Sequence, residues 1–256
     1  MLHLSDDGKE TDVAHIADSA VLVDRRDQGR AEQLVSIPKF QQWMVQTKST
    51  ELLVHGHMKP SRTSVSPLSL FTAAIVQNLQ RVDRFLTLAF FCAAHTSFED
   101  PLTGGVGLIK SFLAQLLKQH HFDSADLAHA TQHVDLHLLE SGIDDVIQLC
   151  GLFIGLVRQL GSNVTLVCVI DSINVYDDPE FLQDMQVERV LFELLSLTLD
   201  EDLPTHVKIL LTSPTDTATI RRGFRKSDIL SMLGQPRGEK RFDRDRFAHQ
   251  LEGKLG

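Results

Sequence analysis

The segment VTLVCVID at residues 164–171 constrains the fold of this chain more than any other. It is a run of mostly apolar, β-branched residues that ends in a carboxylate, Asp171. A short apolar run of this kind is typical of a central strand covered on both faces, as in a parallel α/β sheet. An aspartate at the carboxyl end of such a strand lies where open α/β sheets bind their ligands. Asp171 is therefore the first candidate site residue.

Three other strand-like segments alternate with segments of helical periodicity. The strand-like segments are ELLVHG at 51–56, FLTLAFFCAA at 85–94 and HVKILLTS at 206–213. Amphipathic helices are predicted at about 68–82, 107–121, 144–160 and 187–199. This alternation predicts a three-layer α/β fold with a mostly parallel sheet, similar to that of P-loop NTPases.

In P-loop NTPases an aspartate in the position of Asp171 helps to hold the magnesium ion of a bound nucleotide. A loop of the pattern GxxxxGK[ST] then follows the first strand, and its backbone N–H groups, lysine and hydroxyl contact the phosphates and the magnesium ion. Counted from Gly56, this chain reads four residues HMKP and then Ser61, Arg62 and Thr63. The spacing fits, with Thr63 and Asp171 as the predicted magnesium ligands.

Two features argue against phosphate binding by this loop. Pro60 removes an N–H group from the stretch whose amides should face the phosphates. Ser66 followed by Pro67 is typical of an N-cap and the first helical position, so the helix is predicted to begin near residue 67. A helix that begins there does not direct its N-terminal dipole at a phosphate held by residues 56–63.

The order and spacing of several segments resemble a known family. These segments are FQQWM, ELLVHG, SPLS, FFCAAHTSFEDP, GLIKSFLAQLL, VTLVCVID and KILLTSP. Over residues 36–215 they resemble the NACHT-type NTPase domain of STAND proteins, in a degenerate branch found in fungal NLR-like and nephrocystin-like N-terminal domains. The resemblance implies a P-loop fold that uses ATP or GTP as a switch for oligomerisation, usually with effector and repeat domains on either side.

The positions that carry function in that family are altered here. The family's GKT or GKS is replaced by SRT, with Arg62 in place of the lysine. The family's D-G-hydrophobic-D-E segment reads DSINV from Asp171, and its T-S-R segment reads TSP from Thr212. Phosphoryl transfer depends on the electrostatic stabilisation that a lysine, a second carboxylate and an arginine supply. Useful hydrolysis is therefore not expected.

We therefore predict a catalytically inactive domain of this type that acts as a protein-interaction or signalling scaffold, with protein partners or as a homo-oligomer. The alternative is a switch that binds ATP or GTP with magnesium and hydrolyses it little or not at all. The residues predicted to bind nucleotide in that case are Gly56, Ser61, Arg62, Thr63, Asp171 and Thr212.

A third interpretation is a metal-dependent enzyme built on a row of histidines. His129, His133 and His137 are spaced four residues apart, which places them on one face of a helix if the segment is helical. Ala130 follows His129, so the glutamate of an HExxH motif is absent. A solvent-exposed face is the simpler interpretation.

Composition excludes several other classes. The net charge of −9 argues against nucleic acid as the main partner. The three cysteines form no CxxC pair and are predicted to be buried, reduced thiols of a cytoplasmic protein. No apolar run is long enough to span a membrane, and the polar N-terminus is unlike a signal peptide.

The predicted organisation is a flexible lead-in over 1–35, the P-loop-like domain over 36–215 and a helical tail over 216–256.

Overall fold

A computed structural model describes residues 8–58, 64–135, 137–138, 145–235, 242–243 and 246–249. The main helices are α1 (Lys9–Ser19), α2 (Arg25–Glu32), α3 (Pro38–Val45), α4 (Pro67–Leu79), α5 (Gly104–Gln119), α6 (Ser124–Ala130), α7 (Val146–Val157) and α8 (Val187–Leu199). The strands are β1 (Thr50–His55), β2 (Phe85–Phe91), β3 (Thr165–Asp171), β4 (His206–Ser213) and β5 (Ile229–Ser231). The four predicted strands are confirmed, and β5 is a fifth.

The five strands form one parallel sheet in the order β2-β3-β4-β1-β5. All carboxyl ends therefore lie along the same edge, which is where parallel sheets bind ligands. This edge holds His55 at the end of β1, Asp171 at the end of β3 and Ser213 at the end of β4. The predicted α/β class is confirmed.

Helices cover both faces of the sheet, and the side chains of β3 show the division. Val167 and Val169 pack with α1 to α4, whereas Leu166, Cys168 and Ile170 pack with α5 to α8. Successive strand residues point to opposite faces, so an unbroken apolar run supplies both cores at once. The fold is a three-layer α/β sandwich, as predicted.

The N-terminal segment differs from its predicted structure. The sequence predicts a flexible lead-in over 1–35, but most of the described part of it is helical and contributes to the core. Val13 and Ile16 of α1 are buried, as is Ala31 of α2. Asp24 caps α2 by accepting a hydrogen bond from the Arg26 amide at 2.8 Å. Their few apolar residues gain burial against α4 and neighbouring elements far along the chain, which a local pattern does not reveal.

The C-terminal segment differs from the helical tail predicted over 216–256 as far as residue 235, whereas residues 246–249 are helical. Residues 220–228 form two short 3₁₀ turns, and Ile229–Ser231 then pairs with β1. Further on, Phe247 is fully buried with its ring 5.4 Å from that of Phe71 on α4. The guanidinium of Arg246 binds both carboxylate oxygens of Glu32 at 2.5 Å. Phe247 and Arg246 thus pack on the same helical layer as the N-terminal helices, whereas Ile220 and Phe224 pack on the opposite layer. The domain boundaries at 35 and 215 stay predictions.

Side-chain amides cover the outer edge of β2. Gln115 of α5 accepts from Ala89 N and donates to Ala89 O, both at 2.8 Å. Gln119 makes the same pair of contacts with Thr87, at 3.3 Å and 3.1 Å. These amides satisfy backbone groups that a further strand would otherwise use. This edge is therefore closed to strand addition.

A buried imidazole connects α1 to the loop that follows β2. Nε2 of His95 lies 3.0 Å from Oδ2 of Asp12 on α1, and Nδ1 lies 2.7 Å from Oδ2 of Asp100. The ring stacks on Phe90 with the centroids 5.0 Å apart. Burial alone lowers the pKa of His95, but the hydrogen bonds and charges of the two carboxylates outweigh it and raise the pKa above its ordinary value. The protonated imidazole therefore stabilises the docking of α1.

This arrangement predicts a pH dependence of stability. Because the pKa is raised in the folded state, the stabilisation is complete below the ordinary imidazole pKa of about 6.5 and is lost as the pH rises through the folded-state pKa. Between about pH 6 and pH 9, the free energy of unfolding of the wild type should therefore fall more steeply than that of His95→Gln. Urea denaturation measures both curves. The exposed His121→Gln is the matched control, and parallel curves for wild type and His95→Gln would contradict the assignment.

Candidate functional site

Five side chains meet at the carboxyl edge of the sheet and are called the Asp171 cluster here. They are Asp171 from β3, Ser69 and Thr72 from α4, Thr212 from β4, and Ser172. All five residues are almost completely buried. The cluster therefore joins a helix and two strands at the position that the sequence predicts for a site.

Four hydroxyl groups of the cluster donate to the one carboxylate. Oδ2 of Asp171 accepts from Ser69 Oγ at 2.6 Å and from Ser172 Oγ at 2.8 Å. Oδ1 accepts from Thr212 Oγ1 at 2.6 Å and from Thr72 Oγ1 at 3.2 Å. A carboxylate has about four lone-pair positions. Each carboxylate oxygen of Asp171 thus accepts two hydrogen bonds, so all of its lone-pair positions are occupied.

The start of α4 positions two of these donors. Ser66 is the N-cap and forms a reciprocal capping box with Ser69, as the Ser66-Pro67 pair predicts. Ser69 and Thr72 are three residues apart and therefore lie on one face of the helix, toward the end of β3. Analysis of the sequence missed both as site residues. The sequence signal that could have identified Ser69 is the N-cap, because a helix that begins at Pro67 places Ser69 in its first turn.

Burial determines the electrostatics of the cluster. It raises the pKa of Asp171, and the hydrogen bonds from Ser69, Thr212, Ser172 and Thr72 oppose this shift. The groups that oppose the shift are therefore neutral hydroxyls, whose dipoles stabilise the carboxylate.

Ser172 occupies the position at which the resembling family has glycine. Its backbone is left-handed, with φ at 57°, a conformation that favours glycine. The hydroxyl at this position donates to Asp171, and the Ser172 amide donates to Thr212 Oγ1 at 3.4 Å. The side chain thus adds a donor at a position where a non-glycine residue is strained.

The described part of the predicted phosphate loop is bonded to the sheet. Gly56 N donates to Ser213 O and Met58 N donates to Pro214 O, both at 2.8 Å. A Cβ at Gly56 would lie 3.0 Å from Leu68 Cδ1 and 3.2 Å from Pro214 O, so close packing accounts for this glycine. The amides of Gly56 and Met58 therefore donate hydrogen bonds to carbonyl oxygens of the protein. Ser61, Arg62 and Thr63 lie outside the described residues.

The loop after β3 holds further polar groups, and Asp177 is the most connected. Its carboxylate accepts from the amides of Ala218, Thr219 and Ile220 and so fixes the segment after β4. Asn174 stands where the resembling family has an acidic residue, and its buried Oδ1 has no hydrogen-bond partner among the described residues. Asp177 therefore has a structural role in the described fold.

The predicted row of histidines does not lie on one helix. Helix α6 ends at Ala130, and the chain turns over the residues that include His133. The i, i+4 arrangement of His129, His133 and His137 is therefore wrong, because the helix that it requires stops after the first of them. Over the described ranges, no group of three or more His, Cys, Asp or Glu side chains is placed to hold a metal ion.

The thiols agree with the prediction from sequence, since Cys92, Cys150 and Cys168 are all free and buried. Burial raises the pKa of Cys150 to about 12, which keeps this thiol protonated and unreactive at neutral pH. Among the helices of the described chain, none has the length and apolar character needed to cross a membrane.

The parallel sheet, the two helical layers and the carboxylate beside the first turn of α4 define a three-layer α/β domain of P-loop type. The family model described as nephrocystin 3, N-terminal, matches residues 29–213. The chain belongs to this family, and the predicted resemblance to nephrocystin-like domains is confirmed. No curated protein matches the chain.

The Asp171 cluster should contribute strongly to stability. Thr212→Val keeps the side-chain shape and removes the hydrogen bond to the buried carboxylate together with the longer contact from Ser172 N, so we expect a loss of about 1.5–3 kcal/mol in the free energy of unfolding. Thr198→Val is the matched control, since Thr198 Oγ1 donates to Glu51 Oε2 at 2.8 Å at a half-buried position. The control should lose less than about 1 kcal/mol. Equal losses in urea denaturation would contradict a special role for the cluster.

Proposed function

We propose that this domain is a degenerate P-loop domain of NACHT-like type that does not hydrolyse nucleotide and acts as a scaffold for protein interaction or signalling. The family match supports a domain of this general kind. The state of Asp171 carries the proposal, because its four acceptor positions are filled by hydroxyl groups of the protein.

A magnesium ion requires oxygen ligands in near-ideal octahedral geometry. For Asp171 to supply one, directly or through water, at least one short hydroxyl contact must open. Ser69 and Thr212, at 2.6 Å, are the shortest of these contacts. Their loss in a buried site costs free energy that a bound nucleotide has to replace. The hydrogen bonds of Gly56 N and Met58 N to carbonyl oxygens add to this cost.

The chemical step also has little support from the described residues. Hydrolysis of a nucleoside triphosphate requires a group that orients water and cations that neutralise developing charge. Asn174 and Val175 stand where the resembling family has two acidic residues, and Pro214 stands in place of its arginine. The segment after β3 therefore has no second carboxylate at the two positions where the resembling family has acidic residues.

The surface of α8 supports the scaffold function. Phe192 and Leu199 are seven residues apart, which places them on the same face of the helix. They are 66% and 64% exposed. These two side chains are therefore the part of α8 that we propose contacts another protein.

A second function, an ATP- or GTP-binding switch with little or no hydrolysis, has one observation in its favour. The fold brings Asp171, Thr212 and the first turn of α4 together at the edge where P-loop domains hold magnesium. In this case Asp171 and Thr63 would be the magnesium ligands, and Gly56, Ser61 and Arg62 would face the phosphates.

Binding of a fluorescent ATP or GTP analogue with magnesium distinguishes the two functions. We expect no saturable binding tighter than about 1 mM for the wild type, which corresponds to about −4 kcal/mol. Asp171→Asn tests dependence on the cluster. Asp178→Asn is the control, because Asp178 lies on the same loop and accepts from Phe181 N at 3.0 Å. Micromolar binding that requires magnesium, is lost in Asp171→Asn and is kept in the control would overturn the scaffold proposal and support the switch.

A further inference from the structure

A second polar cluster lies at the same edge of the sheet, on the side of β1 and β5. The carboxylate of Asp216 lies between two imidazoles, with Oδ1 3.4 Å from Nδ1 of His55 and Oδ2 3.4 Å from Nδ1 of His57. Each imidazole contacts a hydroxyl group through Nε2. His55 Nε2 lies 3.0 Å from Thr217 Oγ1, and His57 Nε2 lies 2.8 Å from Ser231 Oγ.

Three segments hold this cluster in place. His55 ends β1, and His57 follows with a left-handed backbone at φ 48°. The neighbouring amides of Gly56 and Met58 donate to Ser213 O at the end of β4 and to Pro214 O, which fixes the loop on both sides of His57. Ser231 ends β5 and is paired with His55 in the sheet register. The arrangement is therefore built from the sheet itself.

The two halves of the cluster differ in access to solvent. On one side, Thr217 and His55 are only 1% and 3% exposed. On the other side, the side chain of His57 is 18% exposed, that of Asp216 is 59% exposed, and Ser231 is exposed. A reagent from solvent can therefore reach Ser231 but not Thr217.

We infer that Ser231 is a nucleophile in a site of Ser–His–Asp type, with His57 as its general base and Asp216 as the group that orients the imidazole. A hydroxyl within hydrogen-bonding distance of an imidazole, which a third group orients in turn, is the geometry of an activated nucleophile. This inference goes beyond the proposed scaffold function, since neither Asp171 nor a nucleotide takes part in it.

The reaction that this geometry supports is acyl transfer from a carboxylic ester. Ser231 Oγ attacks the carbonyl carbon, and its proton moves to His57 Nε2. The C–O bond to the alcohol breaks, and the alcohol leaves with that proton. Water then attacks the acyl-serine by the same route, which releases the acid and restores the Ser231 hydroxyl.

The backbone provides a group for the oxyanion. Met232 N donates to His55 O in the parallel ladder. Because alternate residues of a strand direct their N–H groups to opposite sides, the Ser231 N–H faces away from β1. This amide is next to the nucleophile and lies outside the pairing with β1. An N–H group in this position stabilises negative charge on a tetrahedral intermediate.

A fluorophosphonate probe tests the inference on the full chain, with the labelled residue found by mass spectrometry. In this reaction Ser231 Oγ displaces fluoride from phosphorus, and its proton leaves with the fluoride. We expect labelling at Ser231 that is absent in Ser231→Ala and at least about 100-fold slower in His57→Gln. Hydrolysis of p-nitrophenyl acetate should fall in the same variants.

His55→Gln is the matched control, since it removes the buried imidazole that shares Asp216 and leaves the Ser231–His57 pair intact. Its labelling rate should stay within about tenfold of wild type, well above that of His57→Gln. Circular dichroism checks that each variant is folded, and Asp216→Asn provides a third variant if His57→Gln unfolds. Labelling of wild type no faster than of urea-unfolded protein, labelling at another residue, or equal rates in wild type and His57→Gln would each overturn the inference.

Discussion

The hydrogen bonds between the Asp171 carboxylate and its four hydroxyl donors are the interaction on which the centre of this structure depends. A buried carboxylate without partners costs several kcal/mol, so the carboxyl end of β3 can be buried only if donors surround it. Ser69 and Thr72 bring α4 to this end, and Thr212 brings β4. In a P-loop NTPase a magnesium ion and a nucleotide would contribute at this position. Here the protein itself provides the donors.

Side chains also satisfy backbone groups at the two edges of the sheet. Gln115 and Gln119 satisfy the backbone at the outer edge of β2. On the other side of the sheet, Lys39 Nζ donates to Ile229 O at 2.8 Å, and Arg30 donates to Met232 O. Side chains from the helical layers thus satisfy several backbone groups at both edges. The proposed scaffold function would then depend on helices and loops, such as the face of α8 that exposes Phe192 and Leu199.

Sequence reasoning succeeded where a local pattern determines the structure. The apolar run that ends in Asp171 fixed a central strand, and Ser66-Pro67 fixed the start of α4. It failed where contacts between segments far apart in the chain determine the structure. Leu230 is buried because β5 pairs with β1, although the flanking residues favour a helix, and Phe247 is buried against Phe71 on a helix far away in the chain. The donors Ser69, Thr72 and Ser172 escaped notice because serine and threonine are common, and only the fold brings them to one carboxylate.

A double-mutant cycle on Ser69 and Asp171 tests most directly whether the cluster acts as a structural centre. Free energies of unfolding are measured in urea for wild type, Ser69→Ala, Asp171→Ala and the double variant, without nucleotide or magnesium. A hydrogen bond from Ser69 to a buried carboxylate predicts a coupling of about 1.5–3 kcal/mol. Additive losses, with a coupling below about 0.5 kcal/mol, would show that the two side chains do not stabilise the fold together and would contradict the account.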